Sequence, residues 1–335
     1  MSQRASVVCT MILIALISAV SGCSSVSHPT FALPSGASGI RMTPQSLGKW
    51  TTLTPMPTAR SSIAGGVVNR IFYAVGGLNT IQSNTAYDPA TSIWTVKVPL
   101  STPRLGLAMG VINGILYAVG GCCDINGQSL NTVEAHDPAS PATDTWITKA
   151  SMPTARFGLA AGVVKGILYA VGGANDINGG GTLNTVEAYD SATNTWTTKA
   201  SMPTARSGLA VGVINGILYA VGGCDNNTTQ PHNFNTVEAY NPTTNTWTTK
   251  TSMPTARQYP AVGIINGILY AIGGLNVYDL NTVEAYNPAT DAWTTKASMP
   301  TARDGLAVGV IGRRLYAAGG WNGGSLKTFE VFDPR

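Results

Sequence analysis

The sequence predicts an all-β fold, a propeller of six four-stranded blades in which the N-terminal strand completes the last blade. Three observations predict it. A doublet closing the string Tyr-Ala-x-Gly-Gly recurs at Gly76, Gly120, Gly172, Gly222, Gly273 and Gly319, so successive copies start 44, 52, 50, 51 and 46 residues apart. A period near fifty made of short strands is the mark of a propeller. Trp50, Trp94, Trp146, Trp196, Trp247 and Trp293 each precede the next doublet by 26 residues, so every change of length lies between a doublet and the following Trp. Finally, the last copy stops at Asp333-Pro334-Arg335, three strands in and without a Trp, while Lys49-Trp50-Thr51-Thr52 ahead of the first complete copy matches the missing fourth strand. That strand should tie the termini together and hide an edge that would otherwise pair with other chains.

The strands within a copy follow from its residues, and the fourth copy shows them most clearly. From Gly208 to Ile214, Leu209, Val211 and Val213 alternate with Ala210 and Gly212 at strand period, leaving one very small face able to crowd around an axis. Ile217 to Val221 is almost continuously apolar, as for a central strand covered on both faces. Thr236 to Tyr240 and Thr246 to Thr249 supply two more, joined at Asn241-Pro242, where Pro presets a turn dihedral and the Asn side chain can bond the backbone. One such sheet alone leaves an apolar face wet, so the copies must stack, and a ring covers both end sheets. The blades run approximately over 56–98, 99–149, 150–199, 200–250, 251–296 and 297–335, the last joined by 48–53.

Ahead of the propeller, residues 1–22 read as an export signal, with Arg4 in a short polar segment and an apolar run from Ala5 to Val20. The run is short for a membrane span of about 20 residues. It ends in Val20-Ser21-Gly22-Cys23, which resembles the bacterial lipobox, in which the Cys after the cut receives lipid. Lipidation at Cys23 is the expectation; ordinary secretion is the alternative. Residues 23–47 are rich in Ser, Pro, Gly and Thr without apolar periodicity, which is a tether with a reach of roughly 30 Å. The expected location is therefore the bacterial cell envelope, facing outside the cytoplasm, with membrane contact through the lipid alone.

Composition fits such a compartment. Only 11% of residues are charged, against about 25% in an average protein. A net charge of +4 gives no strong attraction to polyanions, which argues against nucleic acid as a partner. Cys122, Cys123 and Cys224 in the body do not make a disulfide framework. The adjacent pair Cys122-Cys123 reads as two idle thiols or a vicinal disulfide, and without histidines nearby it is a poor metal site.

With six registered doublets followed by spaced Tyr and Trp, the chain from Gly48 to Arg335 resembles the kelch repeats. That resemblance implies the propeller fold strongly and function weakly, because kelch propellers serve as protein adaptors, actin binders and glycan binders, and also as galactose oxidase and the sialic-acid epimerase.

Function is expected where the copies differ. In an up-and-down blade the loops after strands two and four open on one face. The distance from the second Gly of each doublet to Tyr87, His136, Tyr189, Tyr240, Tyr286 and Phe332 is 10, 15, 16, 17, 12 and 12 residues, so long loops from blades two, three and four should wall one half of that mouth. Length variation on one face marks a binding face. The same face should carry the residue after each Arg of the Pro-Thr-Ala-Arg motif, which changes freely: Ser61, Leu105, Phe157, Ser207, Gln258 and Asp304. Tyr259 follows where other copies mostly have Gly. These read either as ligand contacts or as drift at exposed loop positions, and the resemblance favours contacts. Trp321, in Gly-Gly-Trp-Asn-Gly-Gly, can stack on a sugar ring or cover the channel mouth.

The arginines Arg60, Arg104, Arg156, Arg206, Arg257 and Arg303 look like an anion-binding ring. A motif in every blade is better explained by a job every blade shares, here a fork to the strand-three carboxylates Glu134, Glu187, Glu238, Glu284 and Glu330. Blade one has Thr85 instead, which leaves Arg60 as a binding candidate. Asp176, Asn178, Gly181 and Glu187 come near a calcium-loop spacing, but Gly180 stands where an oxygen ligand is needed. No metal or other cofactor is expected. The histidines His28, His136 and His232 supply neither a copper site of the galactose oxidase kind nor a Ser-His-Asp set, and no catalytic residue is assigned. The expected function is binding of a protein or glycan through the loop face. The alternatives are a small-sugar enzyme using Arg60 and Asp304, and a structural envelope protein.

Overall fold

A computed structural model describes residues 47–122, 128–140, 144–175, 181–225 and 232–335. The signal, Cys23 and nearly all of the tether lie outside them, as do Cys123, Asp176 and Asn178. The described residues form six antiparallel four-stranded sheets and no helix. Each sheet is one repeat in chain order, except the last. There the strand Lys49–Thr52 pairs with Phe329–Asp333, Trp50 opposite Phe332, so the N-terminal strand completes blade six.

Trp50 does in blade six what its counterparts do elsewhere. Its indole N–H donates to Ala297 O at 2.8 Å, as Trp196 donates to Ala150 O at 2.8 Å and Trp247 to Ala200 O at 2.9 Å. Each Trp thus pins its outermost strand to the segment that enters the same blade, and in blade six that pin crosses the seam of the ring.

The first strands of neighbouring blades meet around the axis. The small face of each one is a seat for the next blade rather than a lining of the channel. A methyl group on Gly212 would stand 2.8 Å from Ile264 Cδ1 and 2.9 Å from Val262 Cγ1, so the glycine is set by the branched side chains of blade five. The second and third strands are covered on both faces. Leu218 and Ala220 are fully buried, packing between blades with Val186, Met202 and Tyr240, and Val221 is buried in the next cluster with Val237, Met253 and Leu269. Each doublet turns with both φ angles positive, and the N–H of Gly223 donates to the carbonyl of Arg257 in the next blade at 2.9 Å.

The repeated arginines are completely buried, five of them paired with their Glu at 2.5 to 3.2 Å. Arg206 also donates to the carbonyls of Gly222 and Thr236, at 3.1 Å each, and so ties the doublet to the start of strand three. The Glu238 carboxylate accepts a further bond from the hydroxyl of Thr204 in the Pro-Thr-Ala-Arg motif at 2.7 Å. The arginines are a frame in every blade, blade one included. Arg60 donates to the carbonyls of Ala74, Gly76 and Ser83 at 3.1 to 3.3 Å and to Thr85 Oγ1. Its place on the binding face is therefore corrected: the side chain lies inside the blade, with no counter-ion among the described residues, and burial pulls its guanidinium down to about 10. His136 likewise takes the structural place of the strand-three Tyr. Its Nε2 meets Asp144 Oδ1 at 2.8 Å, where Tyr189 and Tyr240 bond Asn194 and Asn245.

Candidate binding face at the channel mouth

The residue after each motif arginine pairs, through an isolated antiparallel bridge, with the residue after the doublet of the same blade. Phe157 faces Ala174, Ser207 faces Cys224, Gln258 faces Leu275, and Asp304 faces Trp321; Leu105 faces Cys122. In blade one Leu78 N donates to Ser61 O at 2.8 Å. A third position comes from the returning loop, where Cys122 bridges Ser129, Ala174 bridges Thr182, Cys224 bridges Asn233, Leu275 bridges Asp279 and Trp321 bridges Ser325. Side chains opposite one another in such pairs share a face, so five blades present a row of three at the mouth.

This arrangement places the expected residues together and corrects their character. Ser61, Leu105, Phe157, Ser207 and Asp304 are buried, not exposed loop positions, and Gln258, Tyr259 and Trp321 are half-buried. The bridges turn these side chains inward, where blades converge. Leu78, Leu105, Cys122, Phe157 and Ala174 pack into one apolar cluster from blades one to three, and Trp321 of blade six lies against it. Packed there and half-buried, the indole is not the free platform that sugar stacking would need. The polar half comes from blades four to six, with Ser207, Gln258, Asp279 and Asp304. The tips of the long loops of blades two to four, 123–127, 176–180 and 226–231, lie outside the described residues, and so does the expected wall.

Next along the chain comes a collar. Ser62, Gly106, Gly158, Gly208, Tyr259 and Gly305 all have φ between 48 and 61°, and N–H to carbonyl bonds run from blade to blade: Gly106 to Ser62, Gly158 to Gly106, Gly208 to Gly158, Tyr259 to Gly208 and Gly305 to Tyr259. That backbone region disfavours bulky side chains by of order 1–3 kcal/mol, which accounts for glycine at four of the six positions. Tyr259, at φ 49°, bears this strain and lays its ring over blade four, 3.0 Å from where a methyl group on Gly208 would be. Its hydroxyl is held well above the usual tyrosine range by burial first, then by Cys224, Asp304 and Cys122.

The carboxyls here differ from those of the frame. Asp304 is 8% exposed, and its side chain makes no hydrogen bond or ion pair among the described residues. Its carboxyl is pushed up to about 8 by burial and by the charge of Asp279. Asp279 is raised to about 6 by burial, and its Oδ1 is buried without a partner. No group of three or more His, Cys, Asp and Glu among the described residues could hold a metal ion. Glu187, the last position of the calcium-like spacing, is taken by Arg156.

Apart from Trp321, the second and third positions of each row escaped sequence reasoning. One signal was present: the residue after the doublet varies as freely as the one after the arginine, from Leu78 and Cys122 to Trp321. The third position had a spacing signal too: Ser129, Thr182, Asn233, Asp279 and Ser325 each stand seven residues before the strand-three marker His136, Tyr189, Tyr240, Tyr286 or Phe332.

A family model described as "KLHDC2/KLHL20/DRC7 Kelch-repeats domain" matches residues 106–320, well over half of the chain. The chain belongs to the kelch-repeat family. Kelch propellers are typically protein-binding modules. The chain is 36% identical over 147 residues to Kelch-like ECH-associated protein 1B of Danio rerio, a match covering 44% of this chain and 16% of that protein, so the chain spans only a small part of this relative. A solved structure titled "Structure of YjhT" superposes with a TM-score of 0.72 at 19% identity, covering 84% of this chain and 96% of that one, and shows the fold alone.

Proposed function

We propose that this kelch propeller is a recognition module of the bacterial cell envelope, held to the membrane by lipid on Cys23, and that it binds a protein partner through the loop face. The observation that carries this reading is the set of rows at the mouth: on a frame that repeats almost residue for residue, their lining differs in every blade. On the rim beside Asp279, Val277 and Tyr278 stand 56% and 76% exposed, apolar surface that a partner can cover. A glycan reading has less support, since the Trp321 indole is half-covered by the apolar cluster. A small-sugar enzyme of the epimerase kind loses the cation it was to use, because the Arg60 guanidinium is buried and donates through both terminal nitrogens within its own blade.

A photo-crosslinking residue at Tyr278 tests the face against a control at Val96, which is 77% exposed on the outermost strand of blade one. In envelope preparations the Tyr278 site should give a discrete adduct that Val96 does not. Equal labelling from both sites, or none from Tyr278, would overturn the loop-face assignment. For the anchor, Cys23→Ser should move the protein from the membrane fraction to the soluble one and abolish incorporation of labelled fatty acid.

A further inference from the structure

We propose that the channel mouth seats a lysine side chain of the protein partner, its ammonium between Asp304 and Asp279 and its methylene stem along the apolar half of the mouth. The inference rests on the loop-face reading and names what that face takes. It starts from a contrast inside the molecule. Each strand-three glutamate that is buried in the frame has an arginine within 3.2 Å. Asp304 is also buried, at 8% exposure against 1–3% for those glutamates, yet among the described residues no cation and no hydrogen-bond donor meets its side chain. A buried carboxyl without a partner is costly to keep, whereas a carboxyl awaiting a cation is repaid on binding. Asp279 repeats the pattern one blade away, with Oδ1 buried and unpartnered.

The surroundings suit an ammonium on an alkyl stem better than a bare ion. Two carboxylates fall short of the six to eight oxygens that calcium takes, and no third ligand joins them among the described residues. Directly across the bridge from Asp304 stands Trp321, which packs in turn against the Leu105 and Phe157 side of the mouth. An indole beside a carboxylate holds an ammonium by both charge and ring quadrupole, and the apolar cluster can cover methylene groups. Tyr259 belongs to the collar next to these rows, its strained backbone holding a phenol near Asp304. Because the two carboxyls are raised by burial, and Asp304 also by its neighbour, an arriving cation should draw a proton off Asp304 into solvent. No covalent step is involved: the ammonium keeps its protons and the carboxyl loses one to buffer.

The test uses the whole propeller and two probes, Nα-acetyl-lysine amide and its Nα,Nε-diacetyl counterpart, which has the same stem without the charge. Calorimetry in two buffers of different ionisation enthalpy reads both affinity and proton release, and Trp fluorescence reads the mouth. The charged probe should bind at least about tenfold more tightly than the diacetyl one, should release protons, and should lose that margin in Asp304→Asn. Asp279→Asn, at a half-exposed loop position, should weaken it less and guards against a folding artefact in the first variant. Equal affinity for both probes, absence of binding by the charged probe, or unchanged binding in both variants would overturn the lysine assignment. So would a calcium-dependent thermal shift lost in Asp304→Asn with no response to the amine, which would make the pair a metal site. If the Tyr278 crosslink forms while the amine fails, only this inference falls; if both fail, the loop-face reading falls with it.

Discussion

Replacing Thr85 by glutamate should stabilise the protein, because blade one buries an arginine without the carboxylate that the five other blades supply. The structure shows what is missing. In blades three to six the carboxylate meets the arginine and accepts a hydroxyl bond from the motif threonine at 2.6 to 2.9 Å, whereas in blade one Arg60 has no carboxylate at Thr85 and the equivalent Thr58 Oγ1 is buried without a partner. A hydrogen bond to a charged group contributes about 1.5–3 kcal/mol, so two new ones are worth about 3–6 kcal/mol. Burying the new carboxylate costs several kcal/mol. The remainder is about 1–2 kcal/mol, since the counter-charge is already in place and already desolvated. For a chain of this size that corresponds to a rise in Tm of roughly 2–4 °C. Thr85→Gln provides the control, with similar shape and no charge, and should gain less than half as much. Differential scanning calorimetry at neutral pH decides it. A lower Tm for Thr85→Glu, or equal effects of Glu and Gln, would refute the idea that the frame of each blade is held by a compensated charge.

Other outcomes follow from the same geometry. Arg206→Met removes one partner of a buried pair and leaves Glu238 uncompensated, so denaturant unfolding should show a loss of about 3–5 kcal/mol; a loss below 1 kcal/mol would mean that the arginines are not structural. Deleting residues 48–52 removes the strand paired with Phe329–Asp333, the Trp50 to Ala297 bond and the Trp50 contact with Phe332, whose ring centroids are 5.1 Å apart. The Tm should fall markedly, and an unchanged Tm would sink the closure argument. Asp304 should make stability depend on pH. Its folded value of about 8 lies above an unfolded value of about 4, so the folded chain holds a proton the unfolded chain has lost, and stability falls as pH climbs through that window. Asp279, raised to about 6, adds the same sign over the lower part of the window, and the Tyr259 phenol adds it only at higher pH. The drop in Tm from pH 5 to pH 9 should therefore be smaller in Asp304→Asn than in the native chain; equal drops would refute the assignment.

Repetition made the frame readable and hid the site. Six doublets, six tryptophans at one spacing and a last copy lacking its fourth strand were enough to derive blade number, strand order and the seam, because every blade solves the same stacking problem with the same residues. The same logic identified most of the arginines as structural. It failed for Arg60, since the loss of Glu at Thr85 looked like a release of the arginine when backbone carbonyls and a hydroxyl had taken over. It also misjudged the residues after the arginines. They vary as exposed loops do, yet five of them are buried, because the bridge to the residue after each doublet turns them toward the axis.

By itself the sequence determined the propeller, its six blades and the strand that closes it, since those follow from local periodicity and from the need of each sheet to cover its faces. Only the tertiary structure decided which variable residues meet. Asp279 and Asp304 are 25 positions apart in sequence and in different blades. The motif marks Asp304, but nothing in the sequence says that it meets Asp279, and what brings the two together with Trp321 and the apolar cluster of blades one to three is closure of the ring, which carries the mouth end of every blade to one axis.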